Sequence, residues 1–285
     1  MATQQRKLHS LEGIVAAFAL FFVLALTIGF AQAESQKVVY LRSKAVMVQD
    51  AETGEIVINK NSEALVPIAS ITKLMTAMIL LDRGLDLEQR IVVSREDVDT
   101  VKGTRSRLMP GTTLTRDELL LLALMASENR AAAALARTYP GGQPAFVKAM
   151  NEKAAELGMS DSTFVEPTGL SPSNVSSPRD LVKLVRAAHG YPLIREYSTR
   201  DRTTVKVFNR SLRFVNTNGL VRNSRWDIEL SKTGYISEAG RCLVMQVRVA
   251  SKDLIVVLLD SWGKQSRIGD AQRIRQWLEK SATRT

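Results

Sequence analysis

The chain has 285 residues, 45% of them hydrophobic and 24% charged, with a formal net charge of +10. That length supports one large domain or two small ones with a sizeable core. A single cysteine, Cys242, and two histidines, His9 and His189, exclude an internal disulfide and leave too few ligands for a zinc site. No motif points to a metal or an organic cofactor.

Residues 1–33 read as a signal peptide. Arg6 and Lys7 make a positive start, Gly13 to Phe30 is an uncharged apolar run, and Ala31-Gln32-Ala33 fits small-x-small cleavage. The run lies at the lower edge of a membrane span, so a retained anchor is the alternative. Either way residues 34–285 are exported. An exported basic chain does not meet nucleic acid. Its charge suits a polyanionic envelope partner, either cell-wall peptide carboxylates or an anionic membrane surface.

In chain order, Ala45 to Asp50 and Ile56 to Asn59 flank a turn at Gly54 and predict a β-hairpin. Ser70 is expected to open a helix running to about Asp82, closed by Gly84. Thr115-Arg-Asp-Glu118 is a capping box before Leu119 to Met125. An alanine-rich helix from Arg130 to Arg137 stops at Pro140-Gly-Gly142, and Phe146 to Leu157 is amphipathic. Ser177-Pro-Arg-Asp180 starts a helix that ends at His189, whose place there reads as structural. Arg241 to Ala250 and Leu254 to Asp260 predict a second hairpin, which makes Cys242 a buried core residue. Ile268, Ala271, Ile274, Trp277 and Leu278 line one face of a last helix, expected to pack on a sheet. Strands at both ends and helices between them predict an α+β fold: one antiparallel sheet, a helical lobe and a cleft.

Three short strings fall in order: Ser70-Ile-Thr-Lys73, Ser127-Glu-Asn129 and Lys232-Thr-Gly234. A Ser-x-x-Lys alone is expected on the order of once in a chain this long, so only the set carries weight. A serine needs an adjacent base. On a helix Lys73 lies one turn from Ser70, on the same face. Burial and a second cation, Lys232, would lower the lysine pKa. Ser127 could relay a proton to the leaving amine, Asn129 could bind a substrate amide, and Lys232 with Thr233 could hold a carboxylate. Gly234 would let an extended peptide lie against the strand edge. The backbone N–H groups of Ser70 and Tyr235 would form an oxyanion hole, where one donor is worth roughly 3–4 kcal/mol.

Pro67-Ile-Ala-Ser-Ile-Thr-Lys-Leu-Met-Thr-Ala-Met78, with Gly54-Glu-Ile before it and Ser127-Glu-Asn-Arg-Ala-Ala-Ala133 after it, resembles the low-molecular-mass penicillin-binding D-alanyl-D-alanine peptidases. Tyr139-Pro-Gly-Gly142, Phe164-Val-Glu-Pro-Thr-Gly-Leu170 and Lys232-Thr-Gly-Tyr235 are similar to the endopeptidase branch, the penicillin-binding protein 7 type. The resemblance implies a β-lactamase-like fold, periplasmic location, and hydrolysis of D-alanyl cross-links in peptidoglycan through an acyl-enzyme on Ser70. It also implies covalent inhibition by β-lactams. The nucleophile, base, relay and carboxylate-binding roles carry over onto Ser70, Lys73, Ser127, Asn129, Lys232, Thr233 and Gly234. An additional C-terminal β-domain is not expected. Removal of terminal D-Ala is the alternative activity, and a non-catalytic peptidoglycan scaffold is the rival outside the enzymes. A β-lactamase would need a deacylating carboxylate in a Glu-x-x-x-Asn pattern. Glu166 is followed four residues later by Leu170, so Glu166 is expected to serve the loop.

Overall fold

The computed structural model describes residues 39–283; the signal peptide read in residues 1–33 lies outside them. Strands β1 (Ser43–Asp50) and β2 (Ile56–Lys60) form the expected hairpin, with Gly54 at φ +76° in its turn. The short strand β3 (Val66–Pro67) leads into a 3₁₀ turn, Ala69–Ile71, and then helix α1 (Thr72–Asp82). Strands β4 (Arg90–Val92) and β5 (Thr113–Thr115) pair before helices α2 (Arg116–Met125), α3 (Asn129–Arg137) and α4 (Gly142–Glu156). Strand β6 (Val175–Ser176) pairs with β3 and precedes α5 (Pro178–His189) and α6 (Pro192–Thr199). The hairpin β7 (Arg202–Val207) and β8 (Arg210–Val215) follows. Strands β9 (Asp227–Ile236), β10 (Gly240–Val249) and β11 (Lys252–Ser261) and helix α7 (Ser266–Ala282) complete the chain.

The main sheet has five antiparallel strands in the order β2-β1-β11-β10-β9. The first and last strand groups therefore close on each other, with Ser43 opposite Ser261 and Val48 opposite Val256. These strands are apolar on both faces. Ala45, Met47, Val244, Ile255 and Val257 belong to the core shared with the helices, whereas Val46, Val48, Leu254, Val256 and Leu258 are buried outside it. Helix α7 covers that second face with Ala271, Ile274 and Leu278. Asp270 fastens it to β1 by accepting from the backbone N–H groups of Arg42 and Ser43. The near-continuous apolar runs of β10 and β11 reflect this two-sided burial.

Local signals act where they were read. Thr115 and Glu118 form a reciprocal capping box, and Ser177 Oγ accepts from Asp180 N. Helix α1 is buried from Thr72 to Leu80, as a helix that is apolar all round must be. Two expectations shift. Ser70 sits in the 3₁₀ turn, one step before α1 rather than at its opening. Helix α4 begins at Gly142 itself, with Pro144 in its first turn, where the missing N–H costs nothing. Cys242 is buried with its thiol pushed up to about 11 by desolvation. His189 ends α5 and pairs with Glu229 at 2.6 Å, a structural contact. Among the described residues no helix is long and apolar enough to cross a membrane.

Candidate active site

The three motifs arrive from different elements. The first spans the 3₁₀ turn and the start of α1, the second is the tight link between α2 and α3, and the third lies in β9, the outer strand of the sheet. They meet at a cleft of about 260 Å³ lined by Ser70, Ser127, Asn129, Thr233, Gly234 and Tyr235. Thr104, Leu170, Thr217 and Arg267 complete the lining. Lys73 and Lys232 are each 1% exposed and lie just beneath its surface.

The turn that carries Ser70 is pinched between two glycines. A Cβ on Gly169, at φ +82°, would stand 2.0 Å from the Ala69 carbonyl oxygen. A Cβ on Gly234 would stand 3.0 Å from Ala69 Cβ, Ile68 O and Ser70 N. Gly234 is therefore required by the backbone of the Ser70 turn, a cause additional to the approach of substrate expected from sequence. Ala69 is held at φ +48° and Ser127 at φ +57°, left-handed backbone that costs side-chain-bearing residues on the order of 1 kcal/mol or more each. Strain of this kind persists where the surroundings over-determine it, and here it sits beside both serines.

Lys73 Nζ lies 3.0 Å from Ser70 Oγ, 2.7 Å from Asn129 Oδ1 and 2.6 Å from the Thr168 carbonyl oxygen. Three contacts match the three N–H groups of an ammonium. A neutral amine has two N–H groups and one lone pair. Asn129 and Thr168 can only accept, so they take the two N–H groups and turn the lone pair to the Ser70 hydroxyl. Burial pushes Lys73 down to about 8, against the pull of the Glu166 and Glu128 carboxylates. The sequence expectation that Lys232 depresses Lys73 is met only in part. Burial is the larger cause for both lysines, and Lys232 is pushed well down by burial, then by Lys73 and Arg267.

Lys232 Nζ donates to Ser127 Oγ at 2.8 Å and to the Thr233 carbonyl at 3.0 Å. Ser127 can thus accept from Lys232 while its own proton points into the cleft. Asn129, expected to bind a substrate amide, has both ends of its own amide bonded within the site. Its Oδ1 serves Lys73 and its Nδ2 donates to Thr104 Oγ1 at 3.0 Å. Thr233 Oγ1 bonds Thr217 Oγ1 at 2.7 Å. Tyr235 is 56% exposed at the cleft rim, with the Arg241 guanidinium 4.5 Å above its ring. The outer edge of β9 has no partner strand among the described residues, which suits an added extended peptide.

Glu166 behaves as the loop element expected. It accepts from Thr168 N and Gly169 N at 2.6 Å each, and from Asn174 Nδ2 at 3.0 Å. It holds the loop that presents Thr168 O to Lys73. Sequence reasoning missed Thr104, Thr168, Thr217 and Arg267. Arg267 reaches from α7 to donate to Gly234 O at 2.8 Å and Cys242 O at 3.0 Å. No local pattern marks it, because it meets the site only through the sheet.

The geometry finds its counterparts among known proteins. A D-alanyl-D-alanine endopeptidase of Pseudomonas aeruginosa is 48% identical over 241 residues, 84% of this chain and 78% of that one. A D-alanyl-D-alanine endopeptidase of Escherichia coli is 46% identical over the same shares. The crystal structure of the Streptomyces K15 DD-transpeptidase superposes with a TM-score of 0.77 at 26% identity, covering 84% of this chain and 97% of that one. The family signature described as D-alanyl-D-alanine carboxypeptidase matches residues 31–263. The chain belongs to that family and is a serine-type D-alanyl-D-alanine peptidase.

Proposed function

We propose that this chain is a periplasmic endopeptidase that hydrolyses D-alanyl cross-links in peptidoglycan through an acyl-enzyme on Ser70. The observation that carries the reading is the buried Lys73 Nζ, 3.0 Å from Ser70 Oγ and held by the Asn129 and Thr168 oxygens, an arrangement that in the neutral amine turns the lone pair to Ser70. Lys73 removes the Ser70 proton as Oγ attacks the D-alanyl carbonyl carbon. The N–H groups of Ser70 and Tyr235 receive the oxyanion. Ser127, held by Lys232, relays to the departing amine the proton that Lys73 took from Ser70, giving up its own and receiving that one, which leaves Lys73 neutral again. The electron pair of the carbonyl returns, the C–N bond breaks, and the acceptor peptide leaves. Water then attacks the ester, with Lys73 taking its proton and Ser70 recovering its own. Thr233, Lys232 and Arg267 make the end of the cleft that suits a carboxylate. A β-lactam acylates Ser70 by the same first step, its ring carbonyl standing for the peptide carbonyl. Residues 1–33 act as the signal and residues 34–285 as the catalytic domain, with no metal or organic cofactor.

Two relatives of nearly half identity named endopeptidase support the cross-link as substrate. The family description supports a second reading, removal of terminal D-Ala. The test gives the wild type and a Ser70→Ala variant a D-alanyl-cross-linked muropeptide dimer mixed with a pentapeptide monomer, and reads masses. Dimer split by wild type alone is the expected result. Loss of terminal D-Ala with the dimer intact would move the assignment to carboxypeptidase.

A further inference from the structure

Beside the cleft runs a second, larger depression of about 600 Å³, between residues 106–109 and the tip of the β7–β8 hairpin. Both walls are continuous with the active site. Thr104 lines the cleft, and Ser106, two residues on, lines the groove. Ser106 also donates to Glu128, inside the Ser127-Glu-Asn129 motif, at 2.5 Å. On the other wall, β8 ends at Val215 and reaches the cleft at Thr217.

The groove combines features that a merely solvated surface lacks. Phe208 is 64% exposed at the hairpin tip, with its backbone at φ +53°, a conformation that favours glycine. Its ring rests over Gly111, whose Cβ would lie 3.6 Å from Cζ. Met109 on the facing wall is 55% exposed. An aromatic held in strained backbone and shown to water is a candidate contact residue. The rim is cationic and unneutralised. Arg200, Arg202 and Arg222 are paired with Glu196 or Asp201. By contrast, among the described residues Arg107, Arg210 and Arg213 have no carboxylate partner. Arg107 is instead held in place, stacked 3.9 Å over Phe214 with Nη1 donating to the Arg213 carbonyl at 2.7 Å.

We infer that this groove binds the peptidoglycan strand leading away from the scissile bond, sugar rings on Phe208 and Met109 and stem-peptide carboxylates on Arg107 and Arg210. The inference rests on the proposed function, because a cross-linked strand is larger than the 260 Å³ cleft and must leave it over one of its walls. Arginine forks match carboxylates in a way lysines do not, and an aromatic face offers a sugar ring an apolar platform at little entropic cost.

The test measures sedimentation of the full chain with purified sacculi, in a Ser70→Ala background so that binding is read without turnover. Arg210→Glu is the main variant, since Arg107→Glu also loses packing on Phe214. Arg210→Glu is expected to weaken retention at least tenfold. Phe208→Gly is expected to weaken it several-fold while thermal stability holds or rises, because glycine relaxes the strained turn. With Ser70 restored, both variants should take up a fluorescent penicillin at the wild-type rate. Unchanged sacculus binding in both variants overturns the inference. So does binding to phosphatidylglycerol vesicles in place of sacculi, or penicillin uptake that falls in step with binding. If wild type leaves the muropeptide dimer intact, the proposed function fails separately. The sacculus assay with Ser70→Ala does not depend on that result.

Discussion

The two walls of the cleft bury one lysine each to the same depth, and then treat them in opposite ways. On the helical wall, Lys73 meets carbonyl and amide oxygens and the field of Glu166 and Glu128. On the sheet wall, Lys232 meets the charges of Lys73 and Arg267. Burial alone would make both lysines poor cations. The neighbours decide which of them titrates in a useful range. The helical wall returns part of what burial takes from Lys73 and leaves it at about 8, close to where a general base is most effective. The sheet wall sets Lys232 and Arg267 beside the place proposed for a substrate carboxylate, whose negative charge would favour the protonated form of Lys232.

Removing the lysine of the helical wall should have the largest effect. Lys73→Met is expected to slow formation of the covalent penicillin adduct at least ~10³-fold, read by intact mass. An adduct formed at the wild-type rate would assign the base to the sheet wall instead. Next in size, Gly169→Ala drives a Cβ into the Ala69 carbonyl that both walls clamp. Together with the left-handed backbone, that should cost roughly 3 kcal/mol or more of stability in urea unfolding, with loss of acylation. A fully stable, active variant would show that the clamp has slack.

The charge contrast itself is read by pH. In the proposed mechanism acylation requires neutral Lys73, so its rate should rise with pH to half its maximum near 8. Glu166 raises the Lys73 pKa, so Glu166→Gln should move the midpoint to lower pH. A midpoint that stays or moves up would mean that loop position, and not charge, is what Glu166 supplies. The smallest effect is expected from Thr104→Val. It removes one acceptor from Asn129 and should slow acylation by about fivefold, equivalent to about 1 kcal/mol.

What could be read from sequence divides along the same line as what is local and what is not. The capping box at Thr115, the proline start after Ser177 and the turn at Gly54 each depend on a few adjacent residues, and all three stand in the structure. The antiparallel closure of the terminal strands also follows from hydrophobic runs at the two ends. The β7–β8 hairpin was not foreseen, because its outward positions are charged and a Phe occupies the turn where glycine would have announced it. The companions of the motifs were hidden for a different reason. Thr168 is 95 residues from Lys73 in the chain, and Arg267 is 33 from Gly234. Their roles depend on packing, which no spacing rule reports. Gly234 has a steric cause that no motif reports: a Cβ there would crowd Ala69 and Ser70.

The pairing of β1 with β11 has a consequence for how the molecule comes into being. Ser43 and Ser261, opposite each other in the sheet, are 218 residues apart. A chain emerging from its N-terminus holds its first hairpin with an open flank until nearly all the rest has appeared. The strand that bears Lys232 is built onto the other side of that late seam. The site is therefore complete only when the last strands are in place, so a C-terminally shortened chain that carries Ser70 and Lys73 is expected to be inert.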